Sequence, residues 1–164
     1  MGLLASHLPF DVDFCSMPVR CLKTKTSPLP PTSRNLRDGE RLLIARRRAG
    51  WTQAEASAKL RITRREIQLA ESGRMAETRT ADLLKGKPAV AALVRSVEAI
   101  NDQEKCHLHR VRWGLTIPQV GKLIGYSKFW AGNMERDPEA AYDPLLDFWR
   151  QPSADIVKAI KTLG

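Results

Sequence analysis

Arg64 and Arg65 stand side by side where a short helix should begin, directly after Thr63. Threonine is a favoured N-cap, so both guanidinium groups belong to the first turn of the helix that continues through Ile67 and Ala70. Each offers a rigid fork of N–H donors that matches planar acceptors such as a carboxylate, a phosphate or a base edge. Upstream, Thr52 caps a preceding helix. Ala56, Leu60, Ile62, Ile67 and Ala70 are spaced so that the two helices bury one shared seam. The stretch therefore predicts two short helices, near 53–60 and 64–71, joined by a tight turn.

The remaining candidates for chemistry are weak. Cys15, Cys21 and Cys106 are odd in number with no close pair, so neither a disulfide framework nor zinc spacing is present. His7, His107 and His109 are scattered. The run Cys106-His107-Leu108-His109 would fan around one helix rather than converge on an ion. There is no nucleophile–base constellation and no phosphate-binding glycine loop. The sequence predicts no enzyme, no metal site and no cofactor.

Composition says what Arg64 and Arg65 would meet. The 164 residues are enough for one ordinary domain or two very small ones, and 43% apolar content is enough for a core. Lysine and arginine number 27 against 18 acids, a net charge of +9. That balance favours a polyanionic partner, with nucleic acid ahead of an anionic membrane surface. The charge is uneven. From Arg34 to Arg74 eleven bases face five acids, a net of +6; from Asn101 to Asp137 six face four, a net of +2. No run approaches membrane-spanning length. Met1 to Phe10 lacks the basic start of a signal peptide, so a cytoplasmic location is expected.

Around the central stretch, residues 1–33 read as a disordered, Pro-rich arm punctuated by Pro9, Pro18, Pro28, Pro30 and Pro31. Arg20, Lys23, Lys25 and Arg34 give two readings, a basic arm laid on DNA or a solvated tail. Met17 is an alternative start to Met1. Leu36 to Ala49 predicts a helix with Leu36, Leu43 and Ile44 inward. Arg46, Arg47 and Arg48 suit its C-terminal dipole, and Gly50 stops it. Thr78 or Thr80 is expected to cap a short helix through Leu84, ended by Gly86 and Pro88. Ala89 to Ile100 predicts another, with Leu93, Val94, Val97 and Ile100 as its apolar stripe. No strand signal of any length is present.

The pattern then restarts. Shifting the numbering by 64 carries Gly50-Trp51-Thr52 onto Gly114-Leu115-Thr116, and Thr63-Arg64 onto Ser127-Lys128. Ala56, Leu60, Ile62, Ile67 and Ala70 become Val120, Ile124, Tyr126, Ala131 and Met134. Pro88 becomes Pro152, and the stripe of the last helix recurs at Ile156, Val157, Ile160 and Leu163 after one deletion. The expected fold is all-α: two tandem units of about five helices each, over 34–100 and 101–164, behind the 1–33 arm.

Both units resemble the phage-repressor-like (Cro-type, lambda-repressor-like) helix-turn-helix family. Thr52-Gln53-Ala54-Glu55 and Ala70-Glu71-Ser72-Gly73-Arg74 are similar to that family's Thr-Gln opening and Glu-x-Gly-Lys/Arg close. Leu123-Ile124-Gly125-Tyr126-Ser127-Lys128 and Met134-Glu135-Arg136 repeat the likeness in the second unit. The resemblance implies that an arginine in the first helix pairs with the glutamate ending the reader helix. Arg46 and Glu71 hold those places, and so do Arg110 and Glu135, each pair 25 residues apart. Two departures stand out. Arg61 replaces the glycine usual in the turn, which Gly125 keeps. Phe129 and Trp130 replace Arg65 and Glu66. Ser57 and Gly121 keep the small residue that lets the two helices approach.

The resemblance further implies a sequence-specific, DNA-binding transcriptional regulator of the kind common on mobile elements, associated with the nucleoid. Arg64 and Arg65 would donate to guanine, Gln68 to adenine, and Leu69 would touch a thymine methyl in the major groove. Gln53, Ser72, Arg74 and Arg47 or Arg48 would hold the phosphate backbone, and Glu66 would orient an arginine. In the second unit Lys128 and Phe129 would read a second site. Alternatively, Phe129 and Trp130 would bind a protein partner, the whole acting as an interaction module of antitoxin or anti-activator type. Trp113 and Trp149 are expected in the core. The expected partner is double-stranded DNA, with a protein partner and a homodimer left open and no membrane.

Overall fold

The computed structural model describes residues 27–137 and 142–163. Most of the Pro-rich arm, with Met17, Arg20, Lys23 and Lys25, lies outside the described residues. The fold is all-α, ten helices with no strand among the described residues.

The first half contains α1 (Asp38–Arg48), α2 (Gln53–Leu60), α3 (Arg64–Glu71), α4 (Glu77–Gly86) and α5 (Pro88–Arg95). The second half contains α6 (Asp102–Arg112), α7 (Ile117–Ile124), α8 (Lys128–Arg136), α9 (Asp143–Arg150) and α10 (Ser153–Lys161). One core joins Leu42, Ala56, Leu60, Ile62, Ile67, Ala70, Met75, Val90 and Val94. A second joins Cys106, Trp113, Leu115, Val120, Met134, Leu145, Phe148, Trp149, Ile156 and Ile160. Between them lies a third cluster, in which Leu36, Leu43, Ile44 and Ala45 meet Val97 and Leu108. Each large apolar side chain fully buried here, such as Ile44, Ile67 or Leu108, is worth roughly 1.5–3 kcal/mol relative to leaving it in water. Trp113 and Trp149 are both in the core, as expected.

Several boundaries differ from the sequence reading, each for a local reason. Helix α1 begins at Asp38 rather than Leu36, because Glu40 accepts a hydrogen bond from the Arg37 backbone N–H at 2.9 Å and fixes the first turn there. Thr78 and Thr80 lie inside α4 and do not cap it; Thr80 Oγ1 donates back to the Ala76 carbonyl at 3.2 Å. Pro88 opens α5 at a first-turn position where its missing N–H costs nothing. Helix α5 ends at Arg95, short of Ile100. The Val97 carbonyl is taken by Arg41 Nη1, and Val97 and Ile100 pack with residues of α1 and α6 from a non-helical linker. Tyr126 departs from the expected seam: Ile62 is buried, whereas Tyr126 is 43% exposed. Leu145, Phe148 and Trp149 of α9 fill the second core instead.

The two tight turns share one backbone. Arg61 follows α2 at φ 54° and ψ 44°, and Gly125 follows α7 at φ 75° and ψ 23°. Glycine accepts that left-handed geometry freely; a residue with a Cβ pays about 1 kcal/mol or more. Close approach behind the turn is handled in both halves. Ser57 Oγ donates to the Ile62 carbonyl at 2.6 Å. A Cβ on Gly121 would sit 2.7 Å from the Tyr126 carbonyl oxygen. Arg61→Gly is therefore expected to raise stability by about 1 kcal/mol in urea unfolding; a loss of stability would mean that the Arg61 side chain outweighs the backbone strain.

Candidate nucleic-acid interface

Capping fixes where the candidate reader helix starts. Thr63 Oγ1 accepts from the Glu66 N–H at 3.1 Å, while Glu66 Oε2 accepts from the Thr63 N–H at 2.8 Å. This capping box places Arg64 and Arg65 at the first two positions of α3. Those hydrogen bonds hold the Glu66 carboxyl below its ordinary range. Glu66 is thus engaged at its own helix start through Oε2, and no arginine pairs with it among the described residues. Thr52 and Glu55 cap α2 in the same way, Thr116 and Gln119 cap α7, and Ser127 accepts from the Trp130 N–H at the start of α8.

A buried clamp anchors the other end of α3. Arg46 on α1 donates through Nε and Nη2 to both oxygens of Glu71, at 2.5 and 2.9 Å, and through Nη1 to the Trp51 carbonyl at 2.7 Å. The second half repeats the arrangement. Arg110 Nε donates to Glu135 at 2.7 Å, and its Nη1 to the Leu115 carbonyl at 3.0 Å. Each glutamate has one more donor, which differs. Gln53 Nε2 donates to Glu71 at 3.0 Å. His107 Nδ1 lies 2.7 Å from Glu135. Burial pushes the Glu135 carboxyl up, but His107 and Arg110 outweigh it and hold it below its ordinary range. Burial also pushes the His107 imidazole down. Because a carboxylate only accepts, Nδ1 carries a proton toward Glu135.

The expected contact residues sort by what they already hold. Arg64 and Arg65 are exposed and make no hydrogen bond or ion pair among the described residues. Ser72 and Arg74 are exposed just beyond the end of α3. Gln68 is exposed and donates to Gln53 Oε1 at 3.2 Å, so the chain Gln68–Gln53–Glu71–Arg46 ties the outer face of α3 to α1. Leu69 is half-buried against the first core. Lys128 and Phe129 are exposed at the start of α8, Phe129 by 67%, and the neighbouring Trp130 by 57%.

Two residues expected on a phosphate backbone are instead paired within the chain. Arg47 Nη2 donates to the Glu135 carbonyl across the seam between the halves. Arg48 pairs with Glu104 at 2.7 and 2.8 Å and reaches the Ala99 carbonyl. The buried pairing of Arg112 with Glu40, at 2.7 Å through Nε and through Nη2, is a further contact that was not foreseen. The offset of 64 contained the signal, since Glu40 and Arg48 fall on Glu104 and Arg112. In the Cys-His-Leu-His run, Cys106 is buried, with its thiol pushed by burial up to about 12. His109 stacks on Trp149 with centroids 5.1 Å apart. The run does not converge, and no metal-holding cluster occurs among the described residues.

Comparison with known proteins finds no matching family model, no matching curated relative and no matching solved structure.

Two outcomes follow from these contacts. Glu71→Ala strands the Arg46 guanidinium and releases Gln53, so it should cost roughly 3–5 kcal/mol. Thermal unfolding checks this against the exposed control Glu77→Ala, and equal melting points would contradict it. Burial, then the Arg112 charge, pushes the His109 imidazole from 6.5 down to about 4. Between those values the unfolded chain binds the proton and the folded chain does not. Its contribution to stability is therefore complete above about pH 6.5 and is lost as pH falls toward 4. His109→Phe, which keeps a ring on Trp149, should flatten the pH dependence of the denaturant midpoint in that window.

Proposed function

We propose that the chain is a sequence-specific DNA-binding transcriptional regulator that lays α3 in the major groove with Arg64 and Arg65 leading. The observation that carries this reading is a division among the arginines of the first half. Arg37, Arg41, Arg46, Arg47 and Arg48 are all spent on carboxylates or carbonyls within the chain. Arg61, Arg64, Arg65 and Arg74 are exposed, and their guanidinium groups hold no hydrogen bond or ion pair among the described residues; Arg34, Arg79 and Arg95 are likewise exposed but lie elsewhere in the chain. Four cations left together along one turn and the helix it feeds give a local field for a polyanion. Two of them sit where fork-shaped donors reach guanine O6 and N7, at roughly 1–3 kcal/mol of discrimination per good pair. The likeness of residues 34–100 to lambda-repressor-like helix-turn-helix units supports the same placement, as do the clamp and caps that hold α3 at a fixed angle.

Mobile-element ancestry and association with the nucleoid come with that likeness. The reading assigns the chain no catalytic step and no cofactor.

A second reading rests on a different observation. Tyr126, Phe129 and Trp130 are exposed together at the turn and first turn of α8. Aromatic residues gathered at the surface are frequent anchors of protein interfaces. In that reading the scaffold is an interaction module of antitoxin or anti-activator type.

Gel-shift titration against genomic fragments at two salt concentrations separates the readings. A DNA reader should lose affinity steeply as salt rises. The double substitution Arg64→Ala/Arg65→Ala should abolish sequence preference while leaving the helical circular dichroism unchanged. Preference retained by that variant would move the reading to α8, and no binding by the parent chain would favour the interaction module.

A further inference from the structure

The seam between the halves has the form of an interface between two copies of one protein. In a two-fold assembly, contact of residue i with residue j requires contact of j with i in the other copy. The chain meets that condition at the offset of 64. Arg48, at the end of α1, pairs with Glu104 in the first turn of α6. Arg112, at the end of α6, pairs with Glu40 in the first turn of α1. These are the same pair with the halves exchanged. Ile44 and its counterpart Leu108 lie together in the cluster between them.

The surface repeats the exchange. One groove runs from Gln53, Gln68, Glu71 and Ser72 across the seam to Arg110 and Gly114. Its neighbour runs from Ile117, Glu135 and Arg136 across to Arg46, Gly50 and Trp51. Nine of the eleven residues that line the first map onto residues of the second at the same offset; Gln68 and Arg74 do not. Leu43, His107 and Arg110 line both grooves, so the grooves meet at the seam. The C-terminal ends of α3 and α8 therefore line two adjoining grooves that are related by the same exchange. The symmetry is approximate. Arg47 crosses to the Glu135 carbonyl, whereas its counterpart Val111 has no side-chain donor.

We propose that one chain takes a single duplex DNA site made of two unlike half-sites in inverted orientation, with no second copy. This rests on the DNA reading above. A two-fold relation between the halves reverses the direction of α8 relative to α3, and duplex DNA has two-fold axes of its own that match such a pair. The surfaces of α1 and α6 that pair the halves are already used within the chain. The half-sites differ because the readers differ. Arg64, Arg65 and Gln68 suit a guanine- and adenine-bearing edge, while Lys128 and Phe129, with Gly132 behind them, suit a phosphate or guanine and a thymine methyl.

The test uses the full chain. Fragments selected from a random duplex pool should contain two unlike elements at fixed spacing. Sedimentation should find one chain per duplex and a monomer when free. Reversing the orientation of either element within the selected fragment should weaken binding at least about tenfold, the loss of one or more good base contacts. Arg48→Ala, which opens the more exposed of the two swapped pairs, should narrow that gap while sparing binding to the stronger element alone. Indifference to reversal, a single element bound as tightly as two, or two chains per duplex would overturn the inference and leave DNA reading by α3 intact. Absence of any salt-dependent binding would remove the DNA reading itself, and this inference with it.

Discussion

A buried carboxylate with a half-buried arginine over it sets the geometry of each half. Arg46 and Arg110 each tie the first helix of their half to the last turn of the third, and each also satisfies a carbonyl in the loop after its own helix. Two charges removed from water at such a position are stable only while both are present and fully hydrogen-bonded. That condition accounts for the additional donors, Gln53 on Glu71 and His107 on Glu135. It also makes the angle between α1 and α3 a consequence of directed hydrogen bonds between charged groups rather than of apolar packing alone. The core fills in around a frame that the ion pairs specify.

Charge that is used inside cannot be used outside, and the chain divides its arginines accordingly. Along α1 every arginine is bound to a partner within the protein, two of them across the seam to the second half. The seam costs the first half cations that a phosphate backbone would otherwise attract. In exchange, the halves are locked by pairs that repeat under exchange of the two. Arg61, Arg64, Arg65 and Arg74 are left free at the turn and at both ends of α3, alongside exposed cations on other elements such as Arg79 and Arg95. A cluster at that place gives orientation as well as attraction. The second half carries little net charge and exposes aromatic side chains at the equivalent turn, so any contact it makes differs in kind.

Much of this was legible in the residues. Periodicity and threonine caps placed α2 and α3, and the same signals recurred at α7 and α8, because local capping and a short apolar seam are decided within a dozen residues. The spacing of 25 between Arg46 and Glu71 was readable because the family likeness supplied a partner for each. The roles of Arg47, Arg48 and Arg112 were not readable one at a time. A cation at a helix end looks alike whether it faces water, DNA or a second domain, and only the packing of α1 on α6 decides. The start of α4 and the end of α5 lie elsewhere than the sequence suggests, the second for a related reason. Val97 is apolar and at helical spacing, yet its carbonyl is satisfied by the Arg41 side chain, and so the helix stops before it. Tyr126 kept the spacing of a core residue while its ring stayed at the surface.

The central claim is that the frame is closed and the Arg61–Arg65 turn, with the helix it feeds, is what meets the partner. Amide hydrogen exchange of the full chain, alone and saturated with a selected DNA fragment, tests it residue by residue. Slow exchange is expected in α1 and α6 in both states, with DNA-dependent protection added at residues 61–74. Protection confined to 126–130, or a change centred on the α1–α6 seam with none at Arg64 and Arg65, would contradict it.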